Sequence, residues 1–328
     1  MIKTASRIGI AGVAVAIATS LAFTPTRAAD YPQKPVRLVA AIPPGSPPDV
    51  VARMLAERLA TVFGQPVLVE NRPGAIGTIG MNAVAKAAPD GYTLGVMTLP
   101  YTVAPSLLSN IPYDTARDLA PVNLVAVGSH ILVVRSSSPI KSVADLIAFA
   151  KAKPGEITFA SGGNGTPAHL AGELLRQKTG VQIRHVPFKG APEGAAAVLG
   201  ELVDMMFAAT VAVAPQIKAG RMRALATSAP KRLATFPDVP TMVELGFSGF
   251  EIRDWQGVVA PAGTPPETIA WLAREIAKVT AIPEVKERLT SIGMEAAGQV
   301  GPEEFGALIR SEIVRWGKVV RDAGIHAD

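Results

Sequence analysis

The sequence predicts an α/β protein of two domains, each with a largely parallel sheet flanked by helices. Three observations predict it. Short β-prone runs alternate with amphipathic helical segments along most of the chain, as in strands joined by crossover helices. A length of 328 residues exceeds that of a common single domain. Two Gly-rich turns, about 115 residues apart, each lead from a strand into a helix and could face each other across one cleft.

The first 28 residues have the pattern of a secretory signal peptide. Lys3 and Arg7 form a basic start, an apolar stretch follows from Ile8 to Phe23, and small residues precede Ala29. We therefore expect cleavage near Ala28 and an exported mature chain. At about 300 residues, that chain is long enough to bury a core of its own.

The composition indicates a globular protein and excludes several classes. The chain is 48% hydrophobic and 18% charged, and no later apolar run is long enough to span a bilayer. It has no Cys, which excludes disulfides and thiolate metal sites. The net charge of +5 includes three basic residues of the signal peptide, so the mature chain carries only +2 with dispersed charges. We expect no nucleic-acid partner, no metal and no cofactor.

The first part of the mature chain predicts three strands and two helices. Strands are expected over Val36–Ala41, Val67–Glu70 and Tyr92–Thr98, with Leu99 and Tyr101 at the end of the third, and helices over 48–62 and from the Gly-rich run to Ala88. The glycines at positions 74, 77 and 80 are spaced GxxGxxG and therefore miss the GxGxxG dinucleotide motif. Close packing of the backbone is the better interpretation of these glycines.

The first of the two turns joins the strand at Leu38 to the helix that begins near Asp49. Its Pro/Gly-rich centre spans residues 43–45. The first N–H groups of a helix have no partner within the helix and lie at the positive end of its dipole, so they can hold an anion. An ordinary strand-to-helix connection has the same pattern. We call this turn the first corner.

The middle of the chain repeats this arrangement. Two β-prone runs meet at Gly128 and Ser129, where we expect the chain to cross between domains, and a helix follows over 143–151. The second corner then joins a short strand at Ile157 to a helix through the glycines at 162, 163 and 165. Thr166 has the position of an N-cap and Pro167 that of the first helical residue. Its hydroxyl can cap the helix or bind a ligand.

The rest of the chain predicts further alternation and then three helices. Strands are expected over 182–187, 203–208, 223–227 and 252–260, and helices over 194–199, 215–220, 266–279, 284–291 and 302–322. The last strand contains the return crossing, near Asp254 and Trp255. Trp316 belongs to the apolar stripe of the last helix and is expected in the core.

The sequence has no recognisable catalytic motif. The motifs GxSxG, HExxH and GxxxxGK[ST] are absent, and none of the four histidines has another at metal-ligand spacing. His169, in the first turn after the second corner, could donate to a ligand or could pack or cap. A pair of Ser161 and His169 is the best candidate for a catalytic centre, but no acid is placed by sequence to orient the imidazole.

With both corners in view, the chain resembles the Bug receptors, the periplasmic solute-binding proteins of tripartite tricarboxylate transporters. The resemblance covers essentially the whole mature sequence, in motifs such as NRPGAIGTIG, PDGYTL, FASGGNGTPAHLAGELL, VPFKG and WQGVVAPAGTP. It implies an α/β, two-lobed periplasmic-binding-protein fold of type II. Each lobe would be a mainly parallel sheet flanked by helices. The ligand would lie in the cleft between the lobes, held through backbone amides, hydroxyls and bridging waters.

The resemblance also implies boundaries, partners and site residues. Lobe 1 would comprise residues 29–128 and 254–328, and lobe 2 residues 129–253, closing about hinges near Gly128 and Arg253. The implied partners are a small organic acid and the membrane subunits of such a transporter, with the receptor a monomer in the periplasm. Its ligand-binding residues would be Ile42, Pro43, Gly45, Ser46, Pro48, Asp49, Ser161, Asn164, Gly165, Thr166, Ala168 and His169. Four further residues, Leu99, Tyr101, Phe188 and Asp204, would select the rest of the ligand.

One departure from the family pattern bears on the ligand. Where the family commonly has a Thr before the Asp of the first corner, this chain has Pro48, so a hydroxyl and a backbone donor are missing, while Ser46 adds a hydroxyl. A dicarboxylate ligand therefore does not follow from the resemblance. Two other functions stay open at this point: an exported enzyme acting on small carboxylic acids, and a periplasmic sensor for a signalling partner.

Overall fold

The computed structural model describes residues 31–325, which form ten strands and ten α-helices. The strands are β1 (Val36–Ala40), β2 (Val67–Asn71), β3 (Thr93–Thr98), β4 (Leu119–Arg135), β5 (Thr158–Ser161), β6 (Arg184–Pro187), β7 (Met205–Ala209), β8 (Met222–Thr227), β9 (Arg253–Pro261) and β10 (Met294–Ala296). The helices are α1 (Pro47–Phe63), α2 (Thr78–Ala85), α3 (Leu99–Leu107), α4 (Val143–Ala152), α5 (Pro167–Thr179), α6 (Ala191–Leu199), α7 (Thr210–Lys218), α8 (Pro266–Ala281), α9 (Pro283–Ser291) and α10 (Pro302–Ala323).

The strands form two sheets that share β4. In the first sheet, β1 pairs parallel with β2 and β3, β3 pairs antiparallel with β9, and β9 and β10 pair antiparallel with β4. In the second sheet, β5 pairs parallel with β6 and β7, and β7 and β8 pair antiparallel with β4. The predicted parallel arrangement therefore holds for β1–β3 and β5–β7, whereas the shared strands are antiparallel.

The strand β4 changes partners where the first crossing was predicted. Its residues up to Ser129 pair with β9, and from His130 onward they pair with β7. The chain returns at Arg253, opposite Ser129. Since β1 and β3 run in the same direction as β4, whereas β5 and β7 run against it, the carboxyl ends of both parallel sets point toward this crossing. Both predicted corners lie at those carboxyl ends.

Apolar faces of the helices cover both sides of each sheet. Helices α1, α8 and α9 pack with Val258 on one face of the first sheet, and α10 packs on the other, where the indole of Trp255 meets Phe305 at 5.5 Å. In the second sheet, α4 and α5 cover the face of Phe159, and α6 and α7 cover the face of Met206. Trp316 is fully buried, which confirms its predicted core position.

Three elements differ from the sequence prediction. The segment after β3 is the helix α3 rather than a strand end and loop, because Pro100 lies in the first helical turn, where proline is tolerated. Helix α7 begins at Thr210, so Pro215 lies inside it rather than at its start. Strand β10 has only three residues, too few for a period of two to be recognised.

Two predictions concern export and membranes. Within residues 31–325, no helix combines the length and apolar character that a membrane span requires. The predicted signal peptide over Met1–Ala28 lies outside the described residues.

Replacing Gly257 with Ala is expected to destabilise the fold by about 1 to 3 kcal/mol, because the site is overpacked by the added methyl group. A Cβ there would lie 2.2 Å from the ring of Phe305 and 2.8 Å from the backbone oxygen of Asn123. The matched control is Gly200→Ala, where the nearest atom would be at an ordinary 3.4 Å. Urea unfolding of both variants measures the difference, and equal stability of the two would contradict the packing described for β9 and α10.

Candidate functional site

The first corner turns sharply and presents the start of α1. Gly45 has a φ of +79°, a backbone conformation that favours glycine, and Ser46 is the N-cap residue. The Ser46 hydroxyl donates to the carbonyl of Pro43 at 2.8 Å and does not cap the helix. The N–H groups of the first turn of α1 are therefore not satisfied by their own N-cap side chain.

Asp49 holds this corner from behind. Its buried carboxylate accepts hydrogen bonds from the Gly45 N–H at 2.9 Å, the Arg53 guanidinium at 2.9 Å and the Asn71 amide at 2.8 Å. Burial opposes ionisation, but these hydrogen bonds outweigh it and lower the pKa of Asp49. Asn71 also donates to the carbonyl of Ile42 at 3.2 Å. The Asp49 side chain is thus committed to the turn, and only its backbone N–H remains for a ligand.

The second corner repeats this geometry position by position. Gly165 has a φ of +75°, Thr166 is the N-cap, and the Thr166 hydroxyl donates back to the carbonyl of Gly163 at 2.7 Å rather than capping α5. The Gly165 N–H donates to Nδ1 of His169 at 3.1 Å, as the Gly45 N–H does to Asp49. In both corners a glycine, a hydroxyl residue and a proline are followed by a buried side chain that accepts the glycine N–H.

His169 therefore has a structural partner. Because its Nδ1 accepts a hydrogen bond, its ring proton lies on Nε2, which faces Glu173 at 3.8 Å. The ring stacks on His185 with centroids 3.9 Å apart. Burial, with smaller contributions from His185 and Arg176, lowers the pKa of His169 to about 3. The imidazole is neutral and supports the corner.

Ser161 and His169 do not form the catalytic pair considered from the sequence. The Ser161 hydroxyl lies 2.6 Å from Nε2 of His185, accepts from the Gly163 N–H and is fully buried. Sequence spacing could not identify His185 as the partner, because strand pairing between β5 and β6 brings it to Ser161 from 24 residues away. Ser161 thus fixes the backbone of the second corner.

Helix α3 packs against the Gly-rich turn before α2 and against the second corner. Its Tyr101 ring packs over Gly77, where a Cβ would lie 2.0 Å from a ring carbon, and its Leu107 packs on Gly165 of the second corner. Leu99, at the start of this helix, is fully buried in the core. A ligand-selecting role for the Leu99 side chain does not fit this position.

Of the remaining predicted residues, three lie at the second corner and one lies away from it. Phe188 is half-buried beside the second corner, where its N–H donates to the carbonyl of Ser161 at 3.0 Å. Asn164 is a half-buried residue of that corner, and Ala168 is buried in the first turn of α5. Asp204, by contrast, is exposed and accepts from the N–H and hydroxyl of Thr158, at the opposite end of β5. Its prediction as a ligand-selecting residue is therefore not supported by its position.

Three polar side chains lie between the corners and were not assigned to the site from the sequence. Asp254 and Gln256 of β9 pair with Gly128 and Ala126 of β4 and share their face. Since side chains alternate between the faces of a strand, His130, two residues after Gly128, lies on the same face. No residue among 31–325 makes a hydrogen bond with the Gln256 amide or with Nδ1 of His130, although both side chains are buried. This row of polar groups, Gln256, Asp254 and His130, forms what we call the polar strip.

The described part of the chain offers no metal site. No group of three or more His, Asp or Glu side chains within residues 31–325 is arranged to hold a metal ion.

Comparisons with known proteins agree with this arrangement. A family model described as tripartite tricarboxylate transporter family receptor matches residues 51–325. The chain is 39% identical over 317 residues to Protein BugT of Bordetella pertussis, covering 96% of this chain and 97% of that protein. The structure of the periplasmic binding protein BugD superposes with a TM-score of 0.77 at 34% identity, over 90% of this chain and 100% of that one. The R. palustris protein Rpa4515 with adipate gives a TM-score of 0.79 at 34% identity, over 91% and 100%.

Proposed function

Since the chain belongs to the tripartite tricarboxylate transporter family of receptors, as its resemblance to the Bug receptors indicated, it is a solute-binding receptor, and we propose that its two corners hold the carboxylate of a small organic acid. Its structural neighbours are periplasmic binding proteins, which confirms the predicted two-lobed fold class. A neighbour was solved with adipate, a carboxylate ligand.

The observation that carries the proposal is the direction of the two N-cap hydroxyls. Because Ser46 and Thr166 donate back into their own turns, they leave the first backbone N–H groups of α1 and α5 for another acceptor. Prolines have no N–H, so the donors within reach of the cleft are the N–H groups of Ser46 and Asp49 at the first corner and of Ala168 and His169 at the second. Two helix N-termini facing one cleft suit a carboxylate.

The arginines near the corners are engaged elsewhere, which supports binding of the ligand carboxylate without an arginine side chain. Arg53 binds Asp49 and Asn71 behind the first corner, and Arg176 binds Glu173 behind the second at 2.7 Å. Both guanidinium groups are therefore used to neutralise buried acids of the fold. The ligand carboxylate would be held by neutral donors, namely backbone N–H groups and water.

Capture would proceed by closure of two lobes. We propose lobe 1 as residues 29–128 and 254–328 and lobe 2 as residues 129–253, which agrees with the change of pairing partners along β4. Closure about Gly128 and Arg253 would bring the corners together and expel water. The membrane subunits of the transporter would then bind the closed form of this periplasmic monomer.

Binding without turnover distinguishes a receptor from an exported enzyme. The Ser161 hydroxyl is hydrogen-bonded to the His185 ring, and Ser161 is buried and fixed by Gly163. We therefore propose that the protein is not an enzyme. A sensor function would use the same closure, and its distinguishing feature would be a signalling partner in place of the transporter.

The experiment is a thermal-shift screen, followed by calorimetry, of the exported protein refolded from denaturant to remove bound ligand. The panel contains mono-, di- and tricarboxylates and amino acids, with uncharged amides of the same acids as matched controls. A ligand at one hundred times its dissociation constant should add about 2.7 kcal/mol to stability. A selective shift by one carboxylate, absent with its amide and without product, supports the proposal. Consumption of the acid would identify an enzyme, and no shift by any carboxylate would contradict carboxylate capture.

A further inference from the structure

We propose that the ligand carries a protonated amine in addition to its carboxylate, and that Asp254 binds this amine. The inference rests on the proposed function, since it assumes that the corners hold the carboxylate. It assigns to Asp254 the selection of amino acids over dicarboxylic acids.

Asp254 lies on β9 at the crossing between the two sheets. The pairing between β3 and β9 ends with Thr98 opposite Gln256, so Asp254, two residues nearer the start of β9, lies beyond the end of β3. On β4 it faces Gly128, which has no side chain. Asp254 therefore has no paired β3 residue on one side and faces a glycine of β4 on the other.

The face on which Asp254 lies carries the helices of both corners. Trp255 packs against Phe305 on the α10 side, so Asp254 and Gln256 project to the other face, where Val258 packs with α1. Along β4 the same face continues from Gly128 through His130 to Leu132, which belongs to the core beneath α5. The carboxylate thus lies on the surface that joins the two predicted anion-binding helix ends.

The Asp254 carboxylate has no partner in the described structure. No side chain or N–H of residues 31–325 forms a hydrogen bond or ion pair with it, although the residue is half-buried. Its neighbour Arg253 is exposed and projects to the opposite face. Burial raises the pKa of Asp254 to about 6, so the group is still largely ionised at pH 7.5. An ionised, half-buried acid without a partner is energetically unfavourable, and a bound cation would stabilise it.

The other members of the polar strip also have side-chain atoms that lack hydrogen-bond partners within residues 31–325. Both amide atoms of the fully buried Gln256 and Nδ1 of His130 have no hydrogen-bond partner among the described residues. Buried polar groups are nearly always satisfied, so these two unsatisfied side chains mark the interior of the crossing beside Asp254 as unusually polar.

The charge balance of the cleft favours a ligand with both signs of charge. The positive contribution comes from the helix ends of the two corners, because Arg53 and Arg176 are already paired. The unpaired negative contribution comes from Asp254. A carboxylate at the corners and an ammonium group at Asp254 would match both, whereas a second carboxylate near Asp254 would be repelled.

The test compares acids of equal length that differ only at the far end. Calorimetry at pH 7.5 measures the dissociation constants of 4-aminobutanoate against succinate, 5-aminopentanoate against glutarate and 6-aminohexanoate against adipate, together with common α-amino acids and hydroxy acids. For the wild type, we expect the best amino acid to bind at least tenfold more tightly than the matching diacid. In Asp254→Asn, which keeps the shape and removes the charge, the amino acid should weaken at least tenfold while the diacid does not weaken.

The matched control is Asp238→Asn, an exposed acid outside the cleft, which should leave every affinity unchanged. Unliganded melting curves check that Asp254→Asn folds, and removal of an unpaired buried charge should not lower its melting temperature. Diacids or hydroxy acids that bind best to the wild type, or an amino acid to diacid ratio that Asp254→Asn leaves unchanged, would overturn the inference while carboxylate capture stands. If no carboxylate binds the wild type, the proposed function fails as well.

Discussion

Lowering the pH from 7 to about 4.5 is expected to remove about 3 to 6 kcal/mol from the free energy of unfolding, as an order of magnitude. The cause is a set of three histidines, two buried and one half-buried, whose pKa values burial lowers to about 4 for His130, about 3 for His169 and about 4 for His185. In the unfolded chain each would bind a proton near pH 6.5. As the pH falls from the unfolded pKa to the folded pKa of a histidine, the free energy of unfolding therefore decreases by about 1.4 kcal/mol per pH unit for that residue.

The sign follows from the direction of the shifts. A histidine with a lowered folded pKa contributes stability that is present above pH 6.5 and is lost as the pH falls toward 4. Asp254 and Glu173 act in the opposite direction, because burial raises the pKa of each, so they take up a proton in the folded state first. Their contribution offsets part of the loss from the histidines, and the expected net loss of about 3 to 6 kcal/mol includes this offset.

Urea unfolding at half-unit steps from pH 7.5 to 4.5 measures the effect. His185→Phe is the informative variant, because a phenyl ring can keep the stacking with Phe159 and His169 but cannot bind a proton. Its free energy of unfolding should fall less steeply as the pH is lowered, because about one fewer proton is taken up on unfolding. The control Asp238→Asn concerns an exposed acid and should follow the wild-type slope. A wild-type stability that is constant over this range would contradict the burial of the three rings.

The same titration bears on ligand binding. A proton on Nδ1 of His169 would remove the acceptor of the Gly165 N–H and so release the second corner from its support. Loss of ligand affinity below pH 5 should therefore accompany the loss of stability, and it should be larger than the ionisation of the ligand carboxylate alone explains.

Much of the fold follows from local sequence signals. The two corners were predicted from a strand, a Gly-rich turn and a proline at the helix start, all within about 20 residues, because each signal acts within a single turn. The first crossing was placed at Gly128, where two β-prone runs meet, and the return crossing in the β-prone run that contains Asp254. Strand pairing changes near both positions. Helix α3 was missed because Pro100, Pro105 and Pro112 resemble loop punctuation, although the first of these occupies a helical first turn.

The interior of the site could not be predicted in the same way. The contact of Ser161 with His185 depends on the pairing of β5 with β6, and the polar strip depends on which residues of β4 and β9 share a face at a change of sheet. A one-residue change of register would move Asp254 and Gln256 to the other face. Single-sequence patterns do not define register to that accuracy, so Asp254 was placed near the crossing but was not assigned a role.

Replacing Ala168 with Pro is expected to weaken ligand binding ten- to a hundredfold. The substitution removes one of the two N–H groups that α5 presents at the second corner, and a hydrogen bond to a charged group contributes about 1.5 to 3 kcal/mol. A proline is tolerated in the first helical turn. The chain already contains the same arrangement, since Pro47 and Pro48 begin α1. The helix itself should therefore persist.

The reciprocal variant is Pro48→Ala at the first corner. It adds a backbone N–H at position 48, which matches the position of Ala168 in the second corner. We expect it to tighten binding by a similar factor if the carboxylate lies between both helix ends, and to leave binding unchanged if only α5 holds it. Calorimetry with the best ligand of the screen gives both affinities, and unliganded melting temperatures show that each variant folds. If Ala168→Pro folds and binds as the wild type does, the backbone of the second corner is not the carboxylate site. Because the two corners share their geometry and differ in this single donor, the pair of variants separates the contribution of each lobe to capture.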